Sequence, residues 1–223
     1  MIDLMAVCAH PDDLEICVGG IFIKAKKEGL KTGLVILTDG GASGRSEKEA
    51  RKKEAIEGAK RLGLDYFSQL DFPDAALEFN QQAVKALIPH LRKASPHLLF
   101  TLHQADYHPD HVAASKIAEA AAFSAGLSQY AEDGSEWHYD AIVYFSADQR
   151  TNQQRPQLLI DVSDVMEEKL HACDAHASQK VTDFARAYAE SLGRLAGVRY
   201  AEGLYLGQTL VMDRVSSLMK KKQ

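Results

Sequence analysis

The stretch Leu4-Met5-Ala6-Val7-Cys8-Ala9-His10-Pro11-Asp12-Asp13 decides the fold. Its apolar run is short, unbroken and bounded by a turn-forming proline. Such a run reads as a strand of a mostly parallel sheet covered on both faces. Polar groups gather as soon as the run ends. A second stretch repeats the arrangement: Leu98-Leu99-Phe100-Thr101-Leu102 is apolar, and His108-Pro109-Asp110-His111 follows shortly after. In an open α/β sheet the carboxyl ends of parallel strands face one crevice. Two His/Asp clusters, each just beyond such a strand, can meet there.

Working outward, strand-like and helix-like segments alternate. A helix is expected from Gly19 to Glu28, closing at Gly29 as a C-cap. Gly33 to Leu37 reads as a second strand. Ser46 and Glu49 have the spacing of a capping box, predicting a helix from Ser46 to Gly63. Tyr66 to Leu70 is a third strand. Asn80 to Ala94 is a helix with Ala83, Leu87, Ile88 and Leu91 on one face. Pro109 opens a helix that runs to about Ser124. Ala141 to Phe145 and Leu158 to Ile160 are later strands, helices start near Val162 and Thr182, and Tyr200 to Leu210 returns as a strand. The polar segment Tyr130 to Pro156 reads as a hairpin or a lid. The pattern predicts a Rossmann-like, three-layer α/β sandwich with a mostly parallel sheet and right-handed crossovers. Without a linker or repeat, residues 1–223 are expected to form one domain.

Composition excludes several function classes. The chain is 46% hydrophobic and 26% charged, as ordinary globular proteins are. A net charge of −5 offers nucleic acid no attraction, and Lys220-Lys221-Lys222 reads as a solvated end. Cys8, Cys17 and Cys173 form no CxxC pair, so they are expected to be small buried hydrophobes in a reducing cytoplasm. The N-terminus has no signal-peptide pattern, and no apolar run is long enough to span a bilayer.

The two clusters supply the parts of an open metal site. Catalytic zinc takes three His or carboxylate ligands and keeps one position free. His10 and Asp13 can reach one ion from the first turn, and His111 can complete the triad from the second. Asp12 is then a spare carboxylate that can take a proton from water. His108 can stabilise an oxyanion from the other side. Asp110 or Asp106 can fix the tautomer of a histidine. The plainer reading has Asp12 as a helix cap and Pro11 and Pro109 as turn formers; the joint occurrence after two strands favours the site. His90, His97, His103, His138, His171 and His176 lack such context and are expected to be surface or structural residues. Zinc is the expected cofactor, although Fe²⁺, Co²⁺ or Mn²⁺ also suit a His₂Asp set.

Two further features flank the clusters. The loop Thr38-Asp39-Gly40-Gly41-Ala42-Ser43-Gly44 has glycines able to cradle a phosphate, but it matches no nucleotide motif. It reads as a flexible loop beside the crevice; the alternative is a sugar-nucleotide-binding protein without hydrolase activity. A catalytically silent metal-binding module is a further alternative, against which the spare Asp12 argues. Arg51, one turn before Glu54, is either part of an exposed helix face or an arginine that binds substrate with Glu54 holding it.

At these residues the chain resembles the LmbE-like (PIG-L) N-deacetylase family. The resemblance rests on Ala9 to Asp13, then Glu15 and Gly19-Gly20, Leu37-Thr38 with its glycine loop, and Arg51-Lys52-Lys53-Glu54-Ala55. It continues through Pro73-Asp74, His108 to His111 and Tyr200-Ala201-Glu202-Gly203. The branch it resembles most is the bacillithiol-biosynthesis type, which deacetylates N-acetylglucosaminyl compounds. The resemblance implies His10, Asp13 and His111 as zinc ligands and Asp12 as general base. It implies His108, oriented by Asp110, as the stabiliser of the tetrahedral intermediate, and Arg51 as a substrate contact. It further implies an N-acetylated amino-sugar substrate and a homo-oligomer, hexamers being common in the family. Some members place a tyrosine from the late helical region near the oxyanion; here Val181 or Phe184 takes that position, and Tyr188 lies further along.

Overall fold

β1 (Leu4–Cys8) is buried throughout and pairs in parallel with β2 (Thr32–Thr38) on one side and β4 (Leu98–Leu102) on the other. With both edges paired and both faces covered, a strand has no polar side to show, hence the unbroken apolar run. β3 (Tyr66–Phe72) extends the sheet beyond β2, and β5 (Ala141–Phe145) extends it beyond β4, both in parallel. β7 (Ala201–Leu206) then runs antiparallel between β5 and β6 (Leu158–Asp161). The order is β3-β2-β1-β4-β5-β7-β6. Winding reverses between β1 and β4, and at such a switch point a crevice opens at the strand carboxyl ends. This computed structural model describes residues 1–42, 44–130, 136–147, 150, 152 and 154–211. Ser43, parts of the Tyr130 to Pro156 segment and the Lys220-Lys221-Lys222 tail lie outside the described residues.

Helices cover both faces. α4 (Gln81–Ala94) packs on α5 (Pro109–Ala125), while α6 (Met166–Cys173) packs with α2 (Gly19–Lys27), α3 (Lys48–Arg61) and α7 (Thr182–Ala196). Gly29 (φ +85) and Gly63 (φ +68) adopt the left-handed conformation just past α2 and α3, as helix-ending glycines do. Asn80 caps α4 by accepting from the Ala83 amide at 2.9 Å.

α2 matches the helix expected from Gly19 to Glu28, one element is added ahead of it, and one local expectation is corrected. A short helix, α1 (Asp13–Cys17), precedes α2, and Val18 breaks the two apart. The capping box at Ser46 does not form. α3 starts at Lys48 with Glu47 at the N-cap and no side-chain cap. Ser46 Oγ instead donates to Ser178 Oγ at 3.1 Å, a tertiary partner that no local pattern announces.

The antiparallel β7 explains a motif. Glu202 accepts from the Gly20 and Ile21 amides (2.8 and 2.7 Å), so its carboxylate sits at the positive end of α2. Lys169 Nζ donates to Glu202 at 2.7 Å and to the Ile16 carbonyl at 2.8 Å, and both side chains are fully buried. Gly20 is required here, since a Cβ would lie 2.8 Å from Val162. Gly19-Gly20 and Tyr200 to Gly203 therefore meet as scaffold behind the crevice. No helix of the described residues is long and apolar enough to cross a membrane.

Candidate metal centre and catalytic site

The turn after β1 carries His10, Asp12 and Asp13; the start of α5 carries His108, Asp110 and His111. Across the switch point, His10 Nδ1 stands 3.2 Å from His111 Nε2. His111 Nε2 is 3.2 Å from Asp13 Oδ1, and Asp13 Oδ2 is 3.7 Å from His10 Nδ1. Donors around a tetrahedral ion with bonds of about 2.0–2.1 Å are separated by about 3.3–3.4 Å. The three separations therefore fit one coordination shell. His108 is also near, its ring centroid 4.7 Å from that of His10 and 4.8 Å from that of His111. Ligand atoms of His10, His108 and His111 lie within 4.8 Å of one another, as do those of His10, Asp74 and Asp110.

The other nitrogen of each histidine is held by carboxylates. His111 Nδ1 is 2.9 Å from Asp106 Oδ1, so that the neutral ring keeps its proton there and turns the Nε2 lone pair to the convergence point. His10 Nε2 is 3.1 Å from both Asp74 Oδ1 and Asp110 Oδ2, leaving Nδ1 there. Asp110 also accepts from the Ala75 and Leu77 amides (2.7 and 3.2 Å). Its carboxylate thus serves His10 rather than His108. Its backbone amide does meet His108, donating to Nδ1 at 3.2 Å. A neutral His108 so held carries its proton on Nε2 and can donate it.

Asp12 sits at the N-cap of α1 but makes no cap bond, so the plainer reading of it as a cap does not describe this structure. Its φ of +99° is in the left-handed region, which costs an L-residue roughly 1–2 kcal/mol. Arg51 is 3% exposed, not part of a solvated helix face. It donates from Nη2 to Asp12 Oδ2 (3.1 Å) and to the Pro11 carbonyl (2.6 Å). Nε donates to the Gly40 carbonyl (3.3 Å) and Nη1 to Glu54 (3.0 Å). Its nitrogens thus all contact protein acceptors.

The charges are tightly coupled. Burial alone would lower the imidazoles, but the Asp110, Asp13 and Asp74 carboxylates push His10 up to about 12. Against the same burial, Asp13 and Asp106 raise His111 to about 9. Burial would raise Asp13, yet His111 and His10 hold it well below the usual carboxylate range. Burial pushes Asp12 up to about 6, against the pull of His176 and Arg51. His108 is lowered by burial and by its two neighbouring histidines.

Among the described residues of the glycine loop, the Gly41 and Ala42 amides are occupied by protein carboxylates rather than open to a phosphate. The Gly41 amide donates to Asp39 and the Ala42 amide to Asp74, each at 2.9 Å. Gly40 (φ +67) packs on Pro11, where a Cβ would come within 2.8 Å. Among the late-helix candidates, Phe184 is half exposed and stacks on Tyr188, whose hydroxyl donates to the Ser146 carbonyl at 2.6 Å. Val181 occupies the N-cap position of α7.

Two groups were not assigned from the sequence. Asp74 stood in the Pro73-Asp74 landmark without a role, and here it faces His10. His176, expected to be unremarkable, is 1% exposed with Nε2 3.2 Å from Glu15 Oε1. That contact is close enough for an ion pair but is not aligned as a hydrogen bond. The Pro73-Asp74 landmark is the one signal that singles out Asp74, and nothing in the local sequence marks His176.

Residues 5–122 match the PIG-L family, GlcNAc-PI de-N-acetylase. The chain is 29% identical over 222 residues to a diacetylchitobiose deacetylase of Thermococcus kodakarensis, covering 90% of this chain and 81% of that one. It is 26% identical over 206 residues to a probable N-acetyl-α-D-glucosaminyl L-malate deacetylase 2 of Bacillus anthracis, covering 85% and 88%. Among solved structures, the conserved protein TT1542 of Thermus thermophilus superposes with a TM-score of 0.86 at 33% identity, covering 95% of this chain and 97% of that one. The 4-carboxy-2-hydroxymuconate hydratase of Pseudomonas putida superposes with a TM-score of 0.85 at 21% identity, covering 96% and 100%. That last likeness concerns the fold alone.

Proposed function

Because the chain belongs to the PIG-L family, we propose that it is a metal-dependent amidohydrolase that removes the acetyl group from an N-acetylglucosamine-containing small molecule. The relatives named as deacetylases of N-acetylated sugars support this reading. One observation carries it: donors of His10, Asp13 and His111 converge at 3.2–3.7 Å beside an Asp12 that neither joins them nor caps a helix.

His10, Asp13 and His111 would hold the ion, zinc first and other divalent transition metals as substitutes. Such an ion supplies Lewis acidity, acidifying water and polarising a carbonyl. Asp12 takes the proton as the water oxygen bonds to the acetyl carbon. His108 donates from Nε2–H to the former carbonyl oxygen as negative charge builds there. The C–N bond then breaks, Asp12 returns its proton to the leaving nitrogen, and acetate and a free amine result. Asp106, Asp74 and Asp110 keep the two ligating imidazoles in the required tautomers.

The proposal takes residues 1–223 as one catalytic domain with no nucleic-acid or membrane partner. A cytoplasmic setting is supported by the three free, buried cysteines. A homo-oligomer, hexamer included, is part of the proposal and rests on the family resemblance alone.

The test is acetate release from a panel of N-acetylated sugars, with the protein as purified, stripped by chelator and restored with zinc. Stripping should abolish turnover and zinc should restore it. Asp12→Asn should keep its metal and lose turnover about 10²-fold or more. His111→Ala should lose metal and activity together. Acetate release indifferent to chelation, or intact in Asp12→Asn, contradicts the reading.

A further inference from the structure

Asp12 combines a left-handed backbone with a carboxylate that, among the described residues, is hydrogen-bonded by one side chain, Arg51. Arg51 grips the strained turn twice, at the Pro11 carbonyl and at Asp12 Oδ2. Its own orientation is set from the far side, where Nη1 donates to Glu54 Oε2 at 3.0 Å. A planar guanidinium held at both edges cannot pivot freely. Glu54 is fixed in turn by the α6–α7 turn: Oε1 accepts from the Ser178 amide and Oε2 from Ser178 Oγ, both at 2.8 Å. Ser178 Oγ also receives bonds from Ser46 (3.1 Å) and Gln179 (2.9 Å). The same turn supplies His176, which faces Glu15 one helical turn beyond Asp12.

We propose that the α6–α7 turn positions the Asp12 carboxylate through Ser178, Glu54 and Arg51, which makes Glu54 and Ser178 positioning residues for the deacetylation. This rests on the deacetylase reading with Asp12 as base. It differs from a substrate-binding role for Arg51, in which loss of Glu54 weakens substrate binding. Small displacements of a catalytic group, or loss of its supporting partner, cost about 10–100-fold in rate.

Three variants grade the link. Glu54→Gln leaves one acceptor oxygen where two are used, so an amide N–H faces Arg51 or Ser178. Ser178→Ala keeps the backbone bond to Glu54 and loses the hydroxyl bond. Ser178→Thr keeps both. On an N-acetylated sugar, kcat should fall about 10–100-fold in Glu54→Gln, several-fold in Ser178→Ala and little in Ser178→Thr. KM and zinc content should stay near wild type. A crystal structure of Glu54→Gln should show the Arg51–Asp12 contact opened, a result independent of turnover. A raised KM with kcat unchanged, or a Glu54→Gln enzyme with wild-type kcat, overturns the proposal. If Glu54→Gln does not fold, the Ser178 pair decides by the same split. A wild-type protein that releases no acetate from any substrate strikes the deacetylase reading instead, and the crystallographic arm then judges the positioning chain alone.

Discussion

Gly58 lies in the middle of α3, where alanine is ordinarily better by about 1 kcal/mol. At this position the sign should reverse. A Cβ would collide with Glu15 Oε1 and lie 2.9 Å from His176 Nε2. Both partners are 1% exposed, so neither has solvent to retreat into. Gly58→Ala must then separate a buried ion pair, and breaking such a pair costs about 3–5 kcal/mol. Subtracting the helix gain leaves a net loss of about 2–4 kcal/mol. For a chain of this size each kcal/mol moves Tm by roughly 2–4 °C, so the melting temperature should fall by roughly 4–16 °C. Thermal unfolding followed by circular dichroism at pH 7 measures it. In a Glu15→Ala background the collision with Oε1 is gone and only the His176 contact remains, so the same substitution should lose most of its penalty. A Gly58→Ala protein as stable as wild type, or equal effects in both backgrounds, would refute the packing argument.

Four further outcomes follow from the site and its scaffold. Metal ligation needs neutral imidazoles, whereas His10 and His111 are held protonated in the metal-free protein; zinc binding at pH 7 should release protons and tighten as pH rises, which calorimetry in buffers of differing ionisation enthalpy would detect. Because the folded pKa of His111 is raised to about 9, its stabilisation is complete below its unfolded value near 6.5 and is lost as pH climbs through about 9; the metal-free protein should melt earlier across that window, and a flat profile would count against the Asp13 and Asp106 contacts. Asp74→Asn removes one of two carboxylates from His10 and should weaken zinc about 10-fold in chelator competition, while unaltered affinity would mean that Asp110 suffices. Glu202→Ala strands Lys169 in the core and should lower unfolding free energy by about 3–5 kcal/mol in urea; a change below about 1 kcal/mol would deny the pair its structural role.

Much of this was legible in the sequence because it is local. The apolar run of β1, the prolines at 11 and 109 and the glycines at 29 and 63 each act through their own backbone. The convergence of His10, Asp13 and His111 was legible because a parallel sheet brings strand ends together, whatever the sequence between them. What stayed hidden is long-range. Ser46 has the spacing of a cap and is taken by Ser178, 132 positions away. Arg51 reads as a surface or substrate residue until the fold buries it against Pro11 and Asp12. His176 meets Glu15 through a turn whose only local feature is polarity, and Asp74, though marked by the proline before it, gives no local sign that it meets His10. β7 runs antiparallel to both β5 and β6, a direction that strand periodicity does not encode, and it carries the Glu202 that meets the start of α2.

The central claim is that loops from opposite sides of the switch point hold a single divalent cation. Anomalous scattering at the zinc edge, from crystals of the zinc-restored protein, tests it most directly. The account predicts one strong peak about 2.0–2.2 Å from His10 Nδ1, His111 Nε2 and an Asp13 oxygen. A peak that falls elsewhere, or no peak between those three side chains, would contradict it.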